Sequence, residues 1–177
     1  MNNLLYLNKN EFFLDQGSKG PILCLKQPGI CFVLFHPNPK ICGYSDAAKE
    51  AFKQLPFNIG GSKFGLTNLS ANPDIITMSK KTIAPITSVP YMILYVNSRP
   101  FLRFDDDDRS LENMVDFMNQ VLSRLNTQKK FIDKGAKFES EIPKYSVGIP
   151  FNVVCDEEKG MCYLNYDDAY KKMRQQQ

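Results

Sequence analysis

The chain has 177 residues, 43% hydrophobic and 23% charged, with a formal net charge of +3 at pH 7. That length and composition suit one globular domain with an appendage, and so small a charge, with no basic cluster interleaved with aromatics, gives no footprint for nucleic acid. No apolar run approaches the roughly 18 residues of a membrane span.

MNNLLYLNKNEFF lacks the basic start and long apolar stretch of a signal peptide, so export is not expected. Five scattered cysteines differ from the framework of a small secreted protein, and a reducing compartment such as the cytoplasm is the expected setting. The single histidine, His36, excludes a multi-His metal site.

In chain order, residues 1–20 form an N-terminal segment, with LNKNEFFLD as a short helix or docking piece. PILCLK and GICFVLFH are strand-like and separated by the turn signal QPG. The second is apolar almost throughout, as a central strand covered on both faces would be. A cysteine loop, KICGYS, then leads into a helix over 43–55 that Pro56 ends. KFGLTNL is a further strand, and ANPDIITMSKK a short helix with Asn72 as N-cap and Pro73 in the first turn. SVPYMILYV and RPFLRF are two strands joined by Asn97-Ser98.

After DDDD, the residues Leu111, Met114, Val115, Met118, Val121, Leu122 and Leu125 repeat at helical spacing, with Asp108 or Ser110 as cap. Strands and helices alternate through residue 126 and finish in a hairpin. The fold class is therefore α/β, a mixed central sheet with helices on both faces. The expected domain spans 21–126. A C-terminal extension, 127–177, carries a β-hairpin at about 151–166 in FNVVCDEEKGMCYLNY.

The order of elements, Cys42 at the first strand–helix junction and Val89-Pro90 opening the next-to-last strand resemble the thioredoxin-like superfamily over roughly residues 20–126. The resemblance implies a thioredoxin-like fold, with Cys42 at the position of the attacking cysteine and Pro90 at that of the cis-proline. Val89, Pro90 and Tyr44 then line the peptide-binding surface. Several departures stand beside it. Ser45 occupies the place of the resolving cysteine, Ile41 that of the family's tryptophan, Tyr44 that of its proline, and Leu34 the neighbourhood of its buried acid. PFNVVCDEEKGMCYLNYDDAY is similar to thioredoxin-like proteins of large double-stranded DNA viruses, which implies a virion, with a minor capsid protein as one form of it.

A thiol at a helix N-terminus meets unpaired N–H groups that favour the thiolate, and Lys40 adds positive charge. Such a thiolate can form a mixed disulfide, but the hydroxyl of Ser45 cannot release it. Cys42 is therefore either a one-cysteine nucleophile, active only if the chain is an enzyme, or a small apolar relic. With EEKG as a four-residue loop and Gly160 left-handed, Cys155 faces Cys162 closely enough for a disulfide, with two reduced thiols as the alternative. The cysteine spacing is too wide for a zinc site. Cys24 and Cys31 fall on strands and belong to the core, His36 is structural, and Asp105 to Asp108 form a solvated turn.

No Walker A, dinucleotide or Ser-His-Asp motif is present, and no cofactor or metal is expected. The leading expectation is a thioredoxin-fold protein without dithiol activity, a structural or protein-binding component of a larger assembly whose partners are other proteins. A monothiol thiol-disulfide oxidoreductase using Cys42, and a peptide-holding chaperone-like domain, are the alternatives.

Overall fold

The computed structural model describes residues 3–132, 155–156 and 160–163. Among the described residues, five strands make the central sheet: β1 (Leu4–Tyr6), β4 (Ile30–His36), β5 (Lys63–Asn68), β7 (Tyr91–Val96) and β8 (Arg99–Phe104), in the order β1-β5-β4-β7-β8. β4 runs parallel to β5 and antiparallel to β7, and β1 is parallel to β5. The parallel pairs need crossovers. α1 (Gly43–Phe52) and the short α2 (Leu55–Asn58) link β4 to β5, and α3 (Pro73–Ser79) follows β5. Among the described residues the last helix is α4 (Leu111–Ile132), which follows β8.

β4 explains why its sequence carries no polar alternation. Phe32 and Leu34 enter one core with Phe52, Leu55, Met114, Met118 and Val121 from α1, α2 and α4. Cys31, Val33 and Phe35 enter the other, with Ile75 of α3 and Leu23 and Leu25. β7 divides the same way, Met92 and Leu94 against Ile93 and Tyr95. Successive side chains point to opposite faces of a sheet, so a strand buried on both sides must be apolar at every position. Phe32 is fully buried, its ring 5.4 Å from Phe52 and 5.3 Å from Phe117.

The structure differs from the sequence expectations at several places. The N-terminal segment is not a helix. β1 extends the central sheet, a single 3-10 turn at Lys9–Glu11 follows, and β2 (Phe12–Gly17) pairs with β3 (Gly20–Leu25) as a separate two-stranded sheet. PILCLK therefore covers one face of the central sheet rather than joining it. Pro56 does not terminate the first helix, which ends at Phe52. It lies in the first turn of α2, where a missing N–H is harmless. Asn72 stands at the N-cap of α3 without capping it, because its Oδ1 accepts from the Lys9 backbone N–H at 3.1 Å. The last helix also continues past Leu125 to Ile132.

Pro90 divides SVPYMILYV into two strands in different sheets. β6 (Ser88–Val89) leaves the central sheet and pairs instead with β10 (Met161–Tyr163), which pairs in turn with β9 (Cys155–Asp156). This third sheet, β6-β10-β9, joins residues more than seventy positions apart. Met161 faces Asp156 and Cys162 faces Cys155, the register a four-residue loop sets, and Gly160 holds the positive φ (60°) that L-residues disfavour. The remaining stretch of the expected hairpin span, 151–166, lies outside the described residues.

Candidate functional site

The site lies where β4 ends and α1 begins. Cys42 is the N-cap of α1 with extended backbone (φ −137°, ψ 109°), and its carbonyl accepts the first helical bond from Asp46 N–H. The approach loop is fixed by Lys40, whose left-handed φ of 71° turns its N–H onto Asp46 Oδ2 at 3.0 Å. The Lys40 side chain is exposed.

Ser45, Ala48 and Phe52 form the buried stripe of α1, at helical spacing. Ser45 thus points inward with the thiol of Cys42, both at 1% exposure. Its hydroxyl makes no hydrogen bond among the described residues. Ile41, beside the cysteine, is about half exposed at 51%.

Against Cys42 lies the strand that opens with Ser88. The Val89–Pro90 peptide bond is cis, and the Cys42 thiol donates to the Val89 carbonyl oxygen at 3.8 Å. A cysteine at the first strand–helix junction faces a cis-proline strand across a β1-β5-β4-β7-β8 sheet. The fold is thioredoxin-like. Leu34, near the family's acid position, is fully buried in an apolar cluster.

In this thioredoxin-like arrangement the edge beside the cis-proline is occupied by the chain itself. Cys162 stands opposite Val89 and Tyr163 opposite Ser88. Cys162 is fully buried, disulfide-bonded, and shares an apolar cluster with Cys42 and Val89. Arg109, just ahead of α4, donates from Nη1 to the Gly160 carbonyl and so ties the hairpin turn to the domain. Burial lowers the pKa of this guanidinium from its ordinary value, while Asp107 and Cys42 act in the opposite direction. Tyr44, half-buried, borders an open groove of about 480 Å³ together with Ala51, Arg109 and Gly160.

The structure therefore gathers Cys42, Tyr44, Val89, Pro90 and Cys162 at one end of the sheet. It leaves the other candidates elsewhere. Cys24 and Cys31 are free and buried, and burial pushes their thiols up to about 11 and about 12. His36 is buried at the end of β4 with Nδ1 donating to the Pro37 carbonyl at 2.9 Å, and burial lowers its pKa. Asp105 to Asp108 are exposed. The Asn113 side chain, followed by the Asp108 backbone N–H, holds the Asp106 carboxyl below its ordinary value. Among the described residues no three His, Cys, Asp or Glu side chains cluster as metal ligands, and no helix is long and apolar enough to cross a membrane.

Arg109 and the β6–β10 pairing were not legible in the sequence. Arg109 follows an acidic run that reads as surface, and nothing local links residue 89 to residue 162.

No protein-family model matches the chain. It is similar to uncharacterized protein 196R of Invertebrate iridescent virus 6, 29% identical over 177 residues that cover 96% of this chain and 95% of that one. It is also similar to uncharacterized protein 020R of Invertebrate iridescent virus 3, 33% identical over 101 residues, 57% of this chain and 55% of that one. Among solved structures, the J-Trx1 fragment of ERdj5 gives a TM-score of 0.49 at 18% identity, covering 67% of this chain and 49% of that one. Human ERp44 gives 0.43 at 17% identity, over 52% of this chain and only 25% of that one.

Proposed function

We propose that the protein is a thioredoxin-fold binding component of a larger protein assembly, without catalytic turnover of external disulfides. One observation carries this reading: the strand beside the cis-proline, where a substrate peptide would pair, is already paired with the chain's own β10. Cys42 lies buried beneath that pairing at 1% exposure. The second member of the motif, Ser45, offers a hydroxyl that is hardly ionised at neutral pH and cannot resolve a mixed disulfide. An external substrate would have to displace the hairpin first, and the intermediate would then have no resolving thiol within the motif.

The same pairing weighs against a peptide-holding role, which needs a free edge. The setting we propose is a virus particle, with a minor capsid role as its most specific form. The iridescent-virus source of two relatives supports a viral setting. The monothiol reading keeps one observation in its favour, the placement of Cys42 as N-cap beside Val89.

Two measurements test the proposal. Reduction of insulin, or of a glutathione mixed disulfide, should stay at the uncatalysed rate. Turnover that Cys42→Ser abolishes would overturn the non-catalytic reading in favour of the monothiol one. Purified particles from the native source should contain the protein at fixed stoichiometry, and loss of the protein on washing the particles would sink the virion setting.

A further inference from the structure

Two cysteines far apart in the sequence meet the cis-proline strand at Val89. The Cys42 thiol donates to the Val89 carbonyl at 3.8 Å, and Cys162 faces Val89 directly across an antiparallel ladder. Facing residues in such a ladder have Cα atoms about 4.5–5.5 Å apart, so both cysteines adjoin Val89. Both are buried in the same apolar cluster, and α1, which Cys42 caps, packs against β10. Their chemical states differ. Cys42 is a free thiol, whereas Cys162 is disulfide-bonded, with Cys155 facing it in the hairpin. A thiol held beside a disulfide sulfur supplies both reactants of thiol–disulfide exchange.

We infer that Cys42 exchanges with the hairpin disulfide of its own chain, so that Cys162 provides the second sulfur that Ser45 does not. The Cys42 thiol loses its proton, which ends on the departing Cys155 sulfur, and its Sγ attacks the Sγ of Cys162. A Cys42–Cys162 bond forms as the Cys155–Cys162 bond breaks. The electron pair leaves on the Sγ of Cys155, which takes up a proton. One thiol and one disulfide yield one thiol and one disulfide, so neither oxidant nor reductant enters.

Arg109 donates to the Gly160 carbonyl and so keeps the hairpin turn seated beside α1. The product fastens α1 covalently to β10 and locks the hairpin onto the cis-proline strand. The reverse step frees it again. Ser45 is then no defect in this site, because the second sulfur arrives on the hairpin.

The inference goes beyond the binding role proposed above and shares with it only the seat of the hairpin on β6. Its test is disulfide mapping of the acid-quenched, non-reduced full chain by mass spectrometry. After mild oxidation with diamide, Cys155→Ser should carry a Cys42–Cys162 bond at about tenfold the level of any Cys42 disulfide in Cys162→Ser. Cys42 and Cys162 both remaining thiols in Cys155→Ser would overturn the inference. In the wild-type chain, N-ethylmaleimide added without reductant should label Cys155 while a Cys42–Cys162 peptide accumulates. Label on Cys42 alone would equally overturn it, and this measurement decides the matter if Cys155→Ser does not fold. Exchange without insulin turnover leaves the binding role standing, whereas insulin turnover without exchange removes that role and this inference together.

Discussion

The central sheet and the small sheet at the thiol site are stabilised by different means. The central sheet joins five strands and buries side chains on both faces, so each inner residue is held by neighbours above, below and alongside. The small sheet consists of strands of two, three and two residues, and two of these come from the far end of the chain. So few ladder bonds fix little by themselves. What seats the hairpin is the burial of Cys162, the Gly160 turn and the Arg109 hydrogen bond. The first sheet supplies stability, and the second supplies placement. A domain built this way can loosen its functional end while its core stays folded.

Separating the two sheets experimentally is the sharpest test of that contrast. The largest effect is expected from Phe32→Ala, which empties the centre of the core packed by α1 and α4. It should cost about 3–5 kcal/mol of unfolding free energy in a guanidinium titration. A loss below about 1 kcal/mol would mean that this core is not packed as described.

Gly160→Val should do the opposite. A β-branched residue is strained at φ 60°, and its Cβ would lie 3.1 Å from Arg109 Nη1. Opening of the small sheet should become easier by about 1–2 kcal/mol, which is about 5–30-fold faster amide exchange over Ser88–Val89. The guanidinium midpoint should hardly move. If the midpoint falls as far as in Phe32→Ala, the two sheets unfold as one unit and the contrast is wrong.

The sequence revealed these two regions unequally, for a physical reason. The central sheet announces itself locally, since an unbroken run such as ICFVLFH has few stable places other than a strand covered on both faces. Asn97-Ser98 marks the turn after β7 because both residues take positive φ there (48° and 74°), and Asn in particular tolerates that conformation. The hairpin register also followed from the four-residue loop and Gly160.

The seat of the hairpin did not follow from any local pattern. Pairing between residues 88–89 and 161–163 closes a long loop, and β6 is only two residues long. Pro56 and Asn72 misled for a related reason. Each obeys a local rule, yet the first-turn position of α2 claims the proline and the Lys9 N–H claims the amide.

Ser45 gives the smallest expected effect and probes the boundary between the regions. Its side chain belongs to the buried stripe of α1, while its position in the motif belongs to the thiol site. A hydroxyl at 1% exposure with no hydrogen bond among the described residues is destabilising, because it has lost water without gaining a partner. Ser45→Ala removes that group, adds the better helix former, and should raise stability by about 1 kcal/mol. The gain should appear in the guanidinium midpoint, since α1 packs on the central sheet. Amide exchange at Ser88–Val89 should stay unchanged, because the seat of the hairpin depends on Cys162 and Arg109 rather than on the hydroxyl. A drop in stability, or faster exchange over that strand, would show that the Ser45 hydroxyl has a role in holding the hairpin in place.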